Sequence, residues 1–535
     1  MNMHKHIYIA LWATMFALPM IGCADDVVLE QKDWDNTSTA FASTDEKEQS
    51  TYYKPYDGYV GDPMPFYDPV AEDFKIMYLQ DYRPNPAGTY HPIWGLSTYD
   101  GTSYKSLGEL IPCGSINEQD AAIGTGSTIY SESDNTYYTF YTGHRYQPTA
   151  EDNGEVVMVA TSSDFKTWKK DKAFFLKGDD YGYSKNDFRD PFVFKGDDNL
   201  YHMIVSTLKG TKGVLAEFTS KDLKQWQHAG VFMTMMWDRF YECPDIFKMG
   251  NWWYLVYSEK HSAIRRVQYF KGATLDELKA ATANDAGVWP DNHEGFLDSR
   301  GLYAGKTASD GINRFLWGWC PTRPGNDNTN VGAAPNEPEW AGNLVAYRLV
   351  QHIDGTLNLG EIPYFVDKYN EKVHIKVMDQ SKEGVETIDG GFSLSGNAHV
   401  LFNRLGYHNR IDFTVTTSGN TDKFGISFCR GTDSEKYYTL VVNPEGDNKR
   451  KVNFEEEGPQ GKGFIEGIDG YTFDSSSSNQ YHITIYTDNS VCVMFIDDVY
   501  CYTNRIYGIQ KNCWSINSYN GNIEVKNVKV SQYNK

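Results

Sequence analysis

WWYLVYS, residues Trp252–Ser258, is one of five aromatic-rich, strand-like runs that decide the fold of this chain. The others share its length and character and are FKIMYLQ (74–80), YYTFYTG (137–143), LYHMIVS (200–206) and RFLWGWC (314–320). Successive runs begin 52 to 63 residues apart, and a second strand-like run follows each of them. Strand repeats of this length with little helical periodicity are typical of propeller blades. The five units therefore predict a five-bladed β-propeller over residues 56–365.

The chain changes in texture after the propeller. Residues 366–390 are mixed and charged, which predicts a linker. Short strand-like runs separated by turn signals then continue to the C-terminus, and they predict a β-sandwich over residues 391–535. We expect this sandwich to support the propeller structurally, with polysaccharide binding as the alternative. The predicted fold class is all-β: a five-bladed β-propeller followed by a C-terminal β-sandwich.

The N-terminus has the pattern of an export signal. A basic start precedes an apolar stretch over residues 7–21, and Gly22-Cys23 follows. The stretch is too short to span a bilayer as a mature helix. Cysteine after glycine resembles the bacterial lipoprotein cleavage box, which implies that residues 1–22 are removed and Cys23 is lipidated; ordinary secretion is the alternative. The acidic segment 23–55 then predicts a flexible tether, and the protein is expected in the cell envelope.

Composition and charge limit the classes of partner. A length of 535 residues exceeds what one core serves, so at least two domains are expected. A formal net charge of -21 argues against nucleic acid or an anionic membrane surface as a partner, leaving membrane contact to the lipid anchor. The eight cysteines form no CxxC pair, so no zinc site is predicted. Cys492, Cys501 and Cys513 could supply a disulfide, with buried free thiols as the alternative.

Three acidic residues share one position in the repeat. Asp62, Asp190 and Glu242 lie 12, 10 and 10 residues before the runs that begin at 74, 200 and 252. Each acid therefore falls on or beside the first strand of its blade, and first strands line the central channel of a propeller. A single Asp-Pro pair is more often a turn than a site. The common phase of the three acids predicts one axial pocket that holds all three carboxylates.

A pocket of several carboxyl groups suits the cleavage of glycosidic bonds. That reaction needs one carboxylate as nucleophile or base and one carboxylic acid as proton donor. Burial and like-charge repulsion raise the pKa of one member of such a cluster, and the raised acid is expected to be the proton donor. The sequence therefore predicts an O-glycosyl hydrolase in which Asp62, Asp190 and Glu242 are the catalytic residues.

The motifs around these acids resemble those of glycoside hydrolase family 32, the β-fructosidases that include invertases, inulinases and levanases. Phe188-Arg189-Asp190-Pro191 and Glu242-Cys243-Pro244-Asp245 are similar to that family's RDP and ECPD motifs. Four further segments stand where the family has other motifs. In chain order they are 59–63 for WMNDPNG, Leu79-Gln80 for FYQ, Ile93-Trp94-Gly95 for HWGH and 124–127 for FSGS. The resemblance covers nearly the whole chain after the predicted tether.

The resemblance implies a role for each matched residue. Asp62 would be the nucleophile, Glu242 the acid/base, and Asp190 the residue that holds fructose hydroxyls and stabilises the transition state. The residues expected to shape the sugar pocket are Gln80, Trp94, Ser127 and Arg189. The implied mechanism is retaining, through a covalent fructosyl-enzyme, and it requires no metal and no organic cofactor. The expected substrates are fructans, sucrose-type or other neutral oligosaccharides or polysaccharides, cut outside the cell or in the periplasm by a monomer.

The nucleophile segment departs from the family pattern. Gly61 and Met64 stand where the family has asparagines, Tyr59 replaces its tryptophan, and Gly124 replaces the phenylalanine of FSGS. Two other hypotheses therefore stay open. One is a five-bladed-propeller glycosidase that acts on an arabinan- or xylan-type glycan, often with inversion. The other is a non-catalytic, glycan-binding lipoprotein, which would bind oligosaccharides without releasing reducing sugar.

Overall fold

The computed structural model describes residues 51–56, 58–82, 91–235, 240–259, 265–281, 295–322, 340–430, 437–446, 448–458, 461–464 and 470–533. These residues contain 35 β-strands and only short helices: α-helices at Leu275–Ala280 and Phe365–Lys368, and 3-10 helices at Asp179–Tyr181 and Ile509–Lys511. Among them, no helix has the length and apolarity to cross a bilayer. The predicted signal peptide, Cys23 and most of the predicted tether lie outside the described residues.

The first part of the chain folds into five antiparallel blades, which confirms the predicted propeller. Blades 1 and 2 contain β1 (Tyr59–Asp68), β2 (Asp73–Asp81), β3 (Ile93–Thr98), β4 (Lys105–Ile111), β5 (Ala122–Ser131), β6 (Thr136–His144), β7 (Glu155–Ser162) and β8 (Lys169–Lys170). Blade 3 contains β9 (Phe188–Lys195), β10 (Tyr201–Lys209), β11 (Lys212–Ser220) and β12 (Gln227–Thr234). Blades 4 and 5 contain β13 (Tyr241–Met249), β14 (Trp252–Glu259), β15 (Val267–Gly272), β16 (Tyr303–Ser309), β17 (Arg314–Pro321), β18 (Gly342–Gln351) and β19 (Leu357–Gly360).

The first strands of the blades form the innermost ring. Each of β1, β5, β9, β13 and β16 contacts the first strand of the next blade, and β16 contacts β1 to complete the circle. The five aromatic-rich runs are the second strands, which are buried along almost their whole length between neighbouring blades. Burial of both faces explains why these strands are continuous apolar runs and why they were the strongest signal in the sequence.

Strands of the first and last blades pair with each other, and residues 52 and 53 contact both the propeller and the sandwich. Val60 of β1 pairs with Gly342 of β18, and the N–H of Leu344 donates to the carbonyl of Tyr53 at 2.8 Å. Tyr52 is fully buried, and its N–H donates to Asp488 Oδ2 in the sandwich at 2.8 Å. The prediction of a tether that extends to residue 55 is therefore wrong at its C-terminal end, because residues 51–53 already pack between the two domains.

The second domain is a sandwich of two antiparallel sheets, as predicted. One sheet contains β20 (Glu371–Val373), β22 (Val385–Ile388), β23 (Gly391–Gly396), β25 (His408–Thr417), β31 (Gln480–Asp488), β32 (Val491–Ile496), β33 (Tyr500–Arg505) and β35 (Gly521–Gln532). The other contains β21 (Val377–Gln380), β24 (His399–Phe402), β26 (Lys423–Arg430), β27 (Tyr437–Pro444), β28 (Lys449–Gly458), β29 (Gly461–Phe464), β30 (Tyr471–Asp474) and β34 (Cys513–Tyr519). An apolar core fills the space between the two sheets.

The prediction of a linker over residues 366–390 is wrong for most of that segment. β20 pairs with β35, β21 with β24 and β22 with β23, so the segment contributes strands to both sheets of the sandwich. β21 and β22 lie at sheet edges. Short, charged edge strands reduce unwanted pairing with other chains, and their charge is what gave this segment the composition of a linker.

The propeller and the sandwich share one hydrophobic core. Tyr347 and Phe365 belong to the same buried cluster as Tyr486, Phe495 and Cys501 of the sandwich. The alternative of free thiols is the one observed at the C-terminal cysteines, since Cys492, Cys501 and Cys513 are all buried and unbridged. The shared core supports a structural role for the sandwich.

Arg505 ties the two domains together through a buried guanidinium group. Its Nε and Nη2 donate to the carbonyls of Pro321 and Cys320, both at 2.9 Å, and its Nη1 donates to Ser490 Oγ at 2.7 Å. Replacing Arg505 by Met removes three hydrogen bonds from a buried charged group, worth about 1.5–3 kcal/mol each, so we expect a loss of at least about 3 kcal/mol in the free energy of unfolding. Urea unfolding would measure it. An Arg145→Met control at the surface should change stability by less than about 0.5 kcal/mol, and equal losses in the two variants would contradict this account.

Candidate active site

The first strand of every blade is interrupted at the same level. The pairing register shifts at Gly61/Met64 in β1, Gly124/Gly126 in β5, Glu242/Asp245 in β13 and Tyr303/Lys306 in β16, and at Asp190-Pro191 in β9. Three residues in these bulges have left-handed backbones: Asp190 (φ 57°), Cys243 (φ 53°) and Ala304 (φ 52°). Bulges redirect side chains, and left-handed non-glycine residues are concentrated at functional sites. The ring of bulges therefore turns one side chain per blade towards the axis.

These side chains meet in a cavity of about 550 Å³ that residues of all five blades line. We refer to it as the central cavity. Asp62, Arg189, Asp190 and Glu242 are on its wall. The structure thus brings the three predicted carboxylates together, although they are separated by 128 and 52 residues along the chain. The shared phase in the repeat is the physical reason, because each acid occupies the equivalent bulge of its own blade.

Asp62 accepts a hydrogen bond at each carboxylate oxygen. Trp319 Nε1 donates to Oδ1 at 3.0 Å, and Thr125 Oγ1 donates to Oδ2 at 2.6 Å. Trp319 is fully buried on β17, and Thr125 is buried in the bulge of β5. Two neutral donors, one on each oxygen, fix the orientation of the carboxylate.

Glu242 is the acid with the more open side chain, 19% exposed, whereas Asp190 as a residue is only 4% exposed. Tyr303 OH donates to Glu242 Oε2 at 2.7 Å, and Arg189 Nη2 donates to Oε1 at 3.2 Å. Burial and the neighbouring Glu242 raise the pKa of Tyr303 well above its usual value, so this hydroxyl keeps its proton and remains a donor. Glu242 therefore combines cavity access with a partner of fixed donor character.

Asp190 is the most deeply buried of the three acids. Its Oδ2 accepts the N–H of Cys243 at 2.8 Å, and its own N–H donates to Thr142 Oγ1 at 2.9 Å. Burial raises the pKa of Asp190 to about 7; Arg189 opposes the rise, and Glu242 and Asp62 add to it. The rule that the acid with the raised pKa is the proton donor therefore does not single out Glu242. Desolvation acts most strongly on Asp190, the residue expected to hold the sugar.

The raised pKa of Asp190 predicts a pH-dependent gain in stability for Asp190→Asn. Between the ordinary aspartate pKa and about 7, the unfolded chain releases this proton and the folded chain retains it, so stability falls as pH rises. Above pH 7 the full penalty of a buried ionised Asp190 is present, and asparagine removes it. We expect Asp190→Asn to melt at a higher temperature than wild type at pH 8, with the difference shrinking towards pH 4. A difference that is constant or grows on acidification would contradict this assignment.

Three other predicted sugar contacts are not on the wall of the central cavity. Gln80 is fully buried, and its Oε1 accepts the hydroxyl of Tyr78 at 2.9 Å. Ser127 Oγ donates to the carbonyl of Pro191 and accepts the N–H of Val193, which ties β5 to β9. Trp94 packs on β3 against the core shared by the two domains. Sugar contacts by these residues stay a prediction, and this geometry gives each of them a role in the scaffold.

Sequence reasoning missed several residues of the site. Thr125 and Tyr303 lie 12 and 11 residues before the runs that begin at 137 and 314, which is the phase of the three acids. A search of the repeat for any polar residue at that phase would have found both. Glu155 and His144 also line the central cavity. They come from the second and third strands of blade 2, and no pattern in the sequence marks them.

A second cavity, of about 590 Å³, lies where turns of blades 4 and 5 meet the sandwich. Its walls include Tyr269, Tyr471, Phe473 and Tyr500. None of the predicted site residues lines it. The acid chemistry therefore belongs to the central cavity.

A five-bladed propeller with an axial cluster of carboxylates defines a class of glycoside hydrolase. Residues 52–361 match the family model described as "Glycosyl hydrolases family 32 N-terminal domain", and residues 355–530 match "GH32, BT1760-like, C-terminal domain". The chain belongs to glycosyl hydrolase family 32, as its motifs indicated.

Individual relatives are distant. A sucrose-6-phosphate hydrolase of Vibrio alginolyticus is 28% identical over 193 residues, 35% of this chain and 39% of the relative. A β-fructofuranosidase of Arabidopsis thaliana, insoluble isoenzyme CWINV2, is 28% identical over 203 residues, 34% of each chain. The chain thus spans well under half the length of these curated relatives.

Solved structures match over almost the whole chain. Fructan 1-exohydrolase IIa of Cichorium intybus superposes with a TM-score of 0.69 at 15% identity, covering 92% of this chain and 98% of the other. The β-fructofuranosidase BmSUC1 of Bombyx mori gives 0.67 at 16% identity, covering 93% and 96%. At these identities the superpositions establish the shared fold.

The departure from the family at Gly61 has a structural reason. Trp340 lines the central cavity, and a Cβ on Gly61 would lie 2.3 Å from its Cη2 atom. An asparagine at position 61 cannot occupy this backbone unless the indole moves. With glycine at position 61, the chain lacks the polar side chain that the family has beside Asp62, and the indole of Trp340 forms the cavity wall there instead.

Proposed function

We propose that this protein hydrolyses β-fructosidic bonds in fructans or sucrose-type oligosaccharides with retention of configuration. The observation that carries the proposal is the meeting of Asp62, Asp190 and Glu242 with Arg189 in one axial cavity, in a chain of this family. The three acids have different surroundings: two neutral donors at Asp62, a tyrosine and an arginine at Glu242, and deep burial at Asp190. Different surroundings are what separates the roles of like groups in a glycosidase.

In the first step a carboxylate oxygen of Asp62 attacks the anomeric carbon of the fructosyl unit. Glu242 gives its proton to the glycosidic oxygen as the bond from that oxygen to the anomeric carbon breaks. The products are a fructosyl ester on Asp62, an ionised Glu242 and the leaving alcohol. Asp190 and Arg189, which both line the central cavity, would hold sugar hydroxyls while positive charge develops on the ring.

In the second step the ionised Glu242 removes a proton from water. The resulting hydroxide attacks the anomeric carbon and displaces the Asp62 carboxylate, which releases fructose or a fructosyl chain. Glu242 ends protonated and Asp62 ionised, so the site returns to its starting state. Two displacements at one carbon give net retention.

A polysaccharide screen with product analysis tests the function. The wild-type protein is incubated with levan, inulin, sucrose and arabinan, and the products are separated by chromatography, with Glu242→Gln as the inactive control. We expect fructose or fructo-oligosaccharides from at least one β-fructan, with levan as an expected substrate. We expect no product from arabinan. Arabinose-containing products, or binding of fructan without any product, would contradict the proposal and favour one of the two alternatives.

The cellular location is proposed from the N-terminal segment. Gly22-Cys23 after a short apolar stretch supports a lipid-anchored protein of the cell envelope, where polymeric substrates are accessible. Labelled palmitate should enter the wild-type protein expressed in a bacterium and be absent from a Cys23→Ser variant. Label in both proteins, or in neither, would contradict the anchor.

A further inference from the structure

Glu155 is a buried acid of the central cavity that lies outside all of the recognised motifs. It begins β7, the third strand of blade 2, and is 6% exposed. Its Oε2 accepts the N–H of Phe188 at 2.8 Å, which fixes the backbone just before Arg189. Both of its carboxylate oxygens also accept from Arg189 Nη1, at 3.2 and 3.1 Å.

Arg189 divides its guanidinium among three carboxylates, of which Glu155 and Glu242 come from blades 2 and 4. Nη1 faces Glu155 and also Asp187 Oδ1 at 3.1 Å, whereas Nη2 faces Glu242 Oε1 at 3.2 Å. The ring of Phe240 lies against one face of the guanidinium, with its centroid 4.1 Å from Cζ. Burial lowers the pKa of Arg189, but Glu155 first and then Glu242 more than offset it, so the group keeps its charge.

The other ionisable group in contact with Glu155 does not compete for its charge. His144 Nδ1 lies 3.4 Å from Glu155 Oε1, and burial lowers the pKa of His144, so the ring is neutral at neutral pH. Asp187 is 35% exposed and is screened by solvent, which makes it the weaker anionic partner of Arg189. Asp190 adds a further negative charge on the cavity side.

We propose that Glu155 is a positioning residue that holds Arg189 by Nη1, so that a single guanidinium nitrogen reaches the proton donor Glu242. The proposal rests on the function proposed above and extends it to a residue outside the motifs. A guanidinium free to turn would offer a bidentate fork to Glu242, and bidentate pairing favours the ionised carboxylate. An ionised Glu242 cannot donate to the leaving oxygen, so Glu155 keeps the acid usable by retaining part of the arginine charge.

Glu155→Gln should therefore weaken proton donation more than any other step. We expect turnover of sucrose to fall at least about tenfold, a part of the roughly 10²–10⁴-fold that general acid catalysis contributes. The alkaline limb of the pH–rate profile should move to lower pH, because Arg189 then holds Glu242 ionised over a wider range. β-Fructosyl fluoride, whose leaving group needs no proton, should lose much less activity. Glu155→Asp restores the charge and should recover part of the profile.

Glu217→Gln is the matched control. Glu217 is also a buried glutamate on the third strand of a blade, where it pairs with His202 at 2.8 Å and Lys279 at 2.9 Å, and it is not on the cavity wall. Its loss should lower thermal stability without moving the pH–rate profile. The proposal is overturned if Glu155→Gln, like this control, leaves the alkaline limb of the pH–rate profile unmoved and loses activity equally on sucrose and on the fluoride.

The crystal structure of Glu155→Gln tests the proposal independently of activity. Arg189 should rotate and bring both Nη atoms to Glu242; an Arg189 that stays in its present place would overturn the proposal. A wild-type protein without activity on any fructoside would instead refute the proposed function, and the position of Arg189 would then decide the structural part alone.

Discussion

Asp62→Asn should lower the turnover of every β-fructoside by at least about 10⁴-fold, the scale on which removal of a nucleophile acts. The amide cannot form the ester on which the retaining pathway depends. Asparagine has nearly the shape of aspartate, and Trp319 Nε1 can still donate to its Oδ1, so the site should keep its geometry. Rates are measured by release of reducing sugar, with thermal unfolding to show that the variant is folded.

Two further results sharpen the Asp62 prediction. The variant should still bind a fructo-oligosaccharide in calorimetry, because the rest of the central cavity is unchanged. Azide added to a smaller variant, Asp62→Gly, should restore turnover and give a fructosyl azide of inverted configuration, because the anion then attacks in one displacement. Full activity in Asp62→Asn would mean that another group is the nucleophile.

Glu242→Gln should lower the rate of hydrolysis of substrates with poor leaving groups by about 10²–10⁴-fold, because the proton-donating step is lost. The amide can still accept from Tyr303, but it has no proton of suitable acidity for the glycosidic oxygen. For β-fructosyl fluoride the first displacement should remain fast, and the fructosyl-enzyme should accumulate because no base activates water. Stopped-flow release of fluoride would appear as a burst of one equivalent.

A comparison with Asp190→Asn distinguishes the role of Glu242 from that of Asp190. Asp190→Asn should slow the sugar and the fluoride together, because Asp190 acts on the fructosyl ring and not on the leaving group. A Glu242→Gln variant that loses activity equally on both substrates would contradict its assignment as the acid. The raised pKa of Asp190 makes this comparison necessary, because titration alone does not tell the two acids apart.

The strands that sequence reasoning predicted are those whose burial made them continuous and apolar. All five second strands of the blades are of this kind, and so is β32 of the sandwich, whereas β25 alternates between half-buried and buried residues. The strands β20, β21 and β22 were missed because they are short, charged and partly exposed, and the partners of β20 and β21 are 20 or more positions away. Composition reports burial, and it carries no information about partners that are distant in sequence.

The site was predictable where the repeat sets the direction of a side chain, and not elsewhere. The phase of Asp62, Asp190 and Glu242 placed them on the bulged first strands, and that phase survives folding because each blade repeats the same backbone. Gln80 and Ser127 carry family-like motifs, but the structure turns their side chains into contacts within the scaffold. Glu155 reaches the cavity through the packing of blade 2 on blade 3, which no local pattern encodes.

The central claim is that Asp62 forms a covalent bond to the fructosyl unit in a cavity that Asp190 and Glu242 share. Intact-protein and peptide mass spectrometry of Glu242→Gln, after incubation with β-fructosyl fluoride, tests that claim most directly. The account predicts one fructosyl unit on the peptide that contains Asp62 and none in the double variant with Asp62→Asn. Continued turnover without an adduct, or an adduct on another residue, would contradict it.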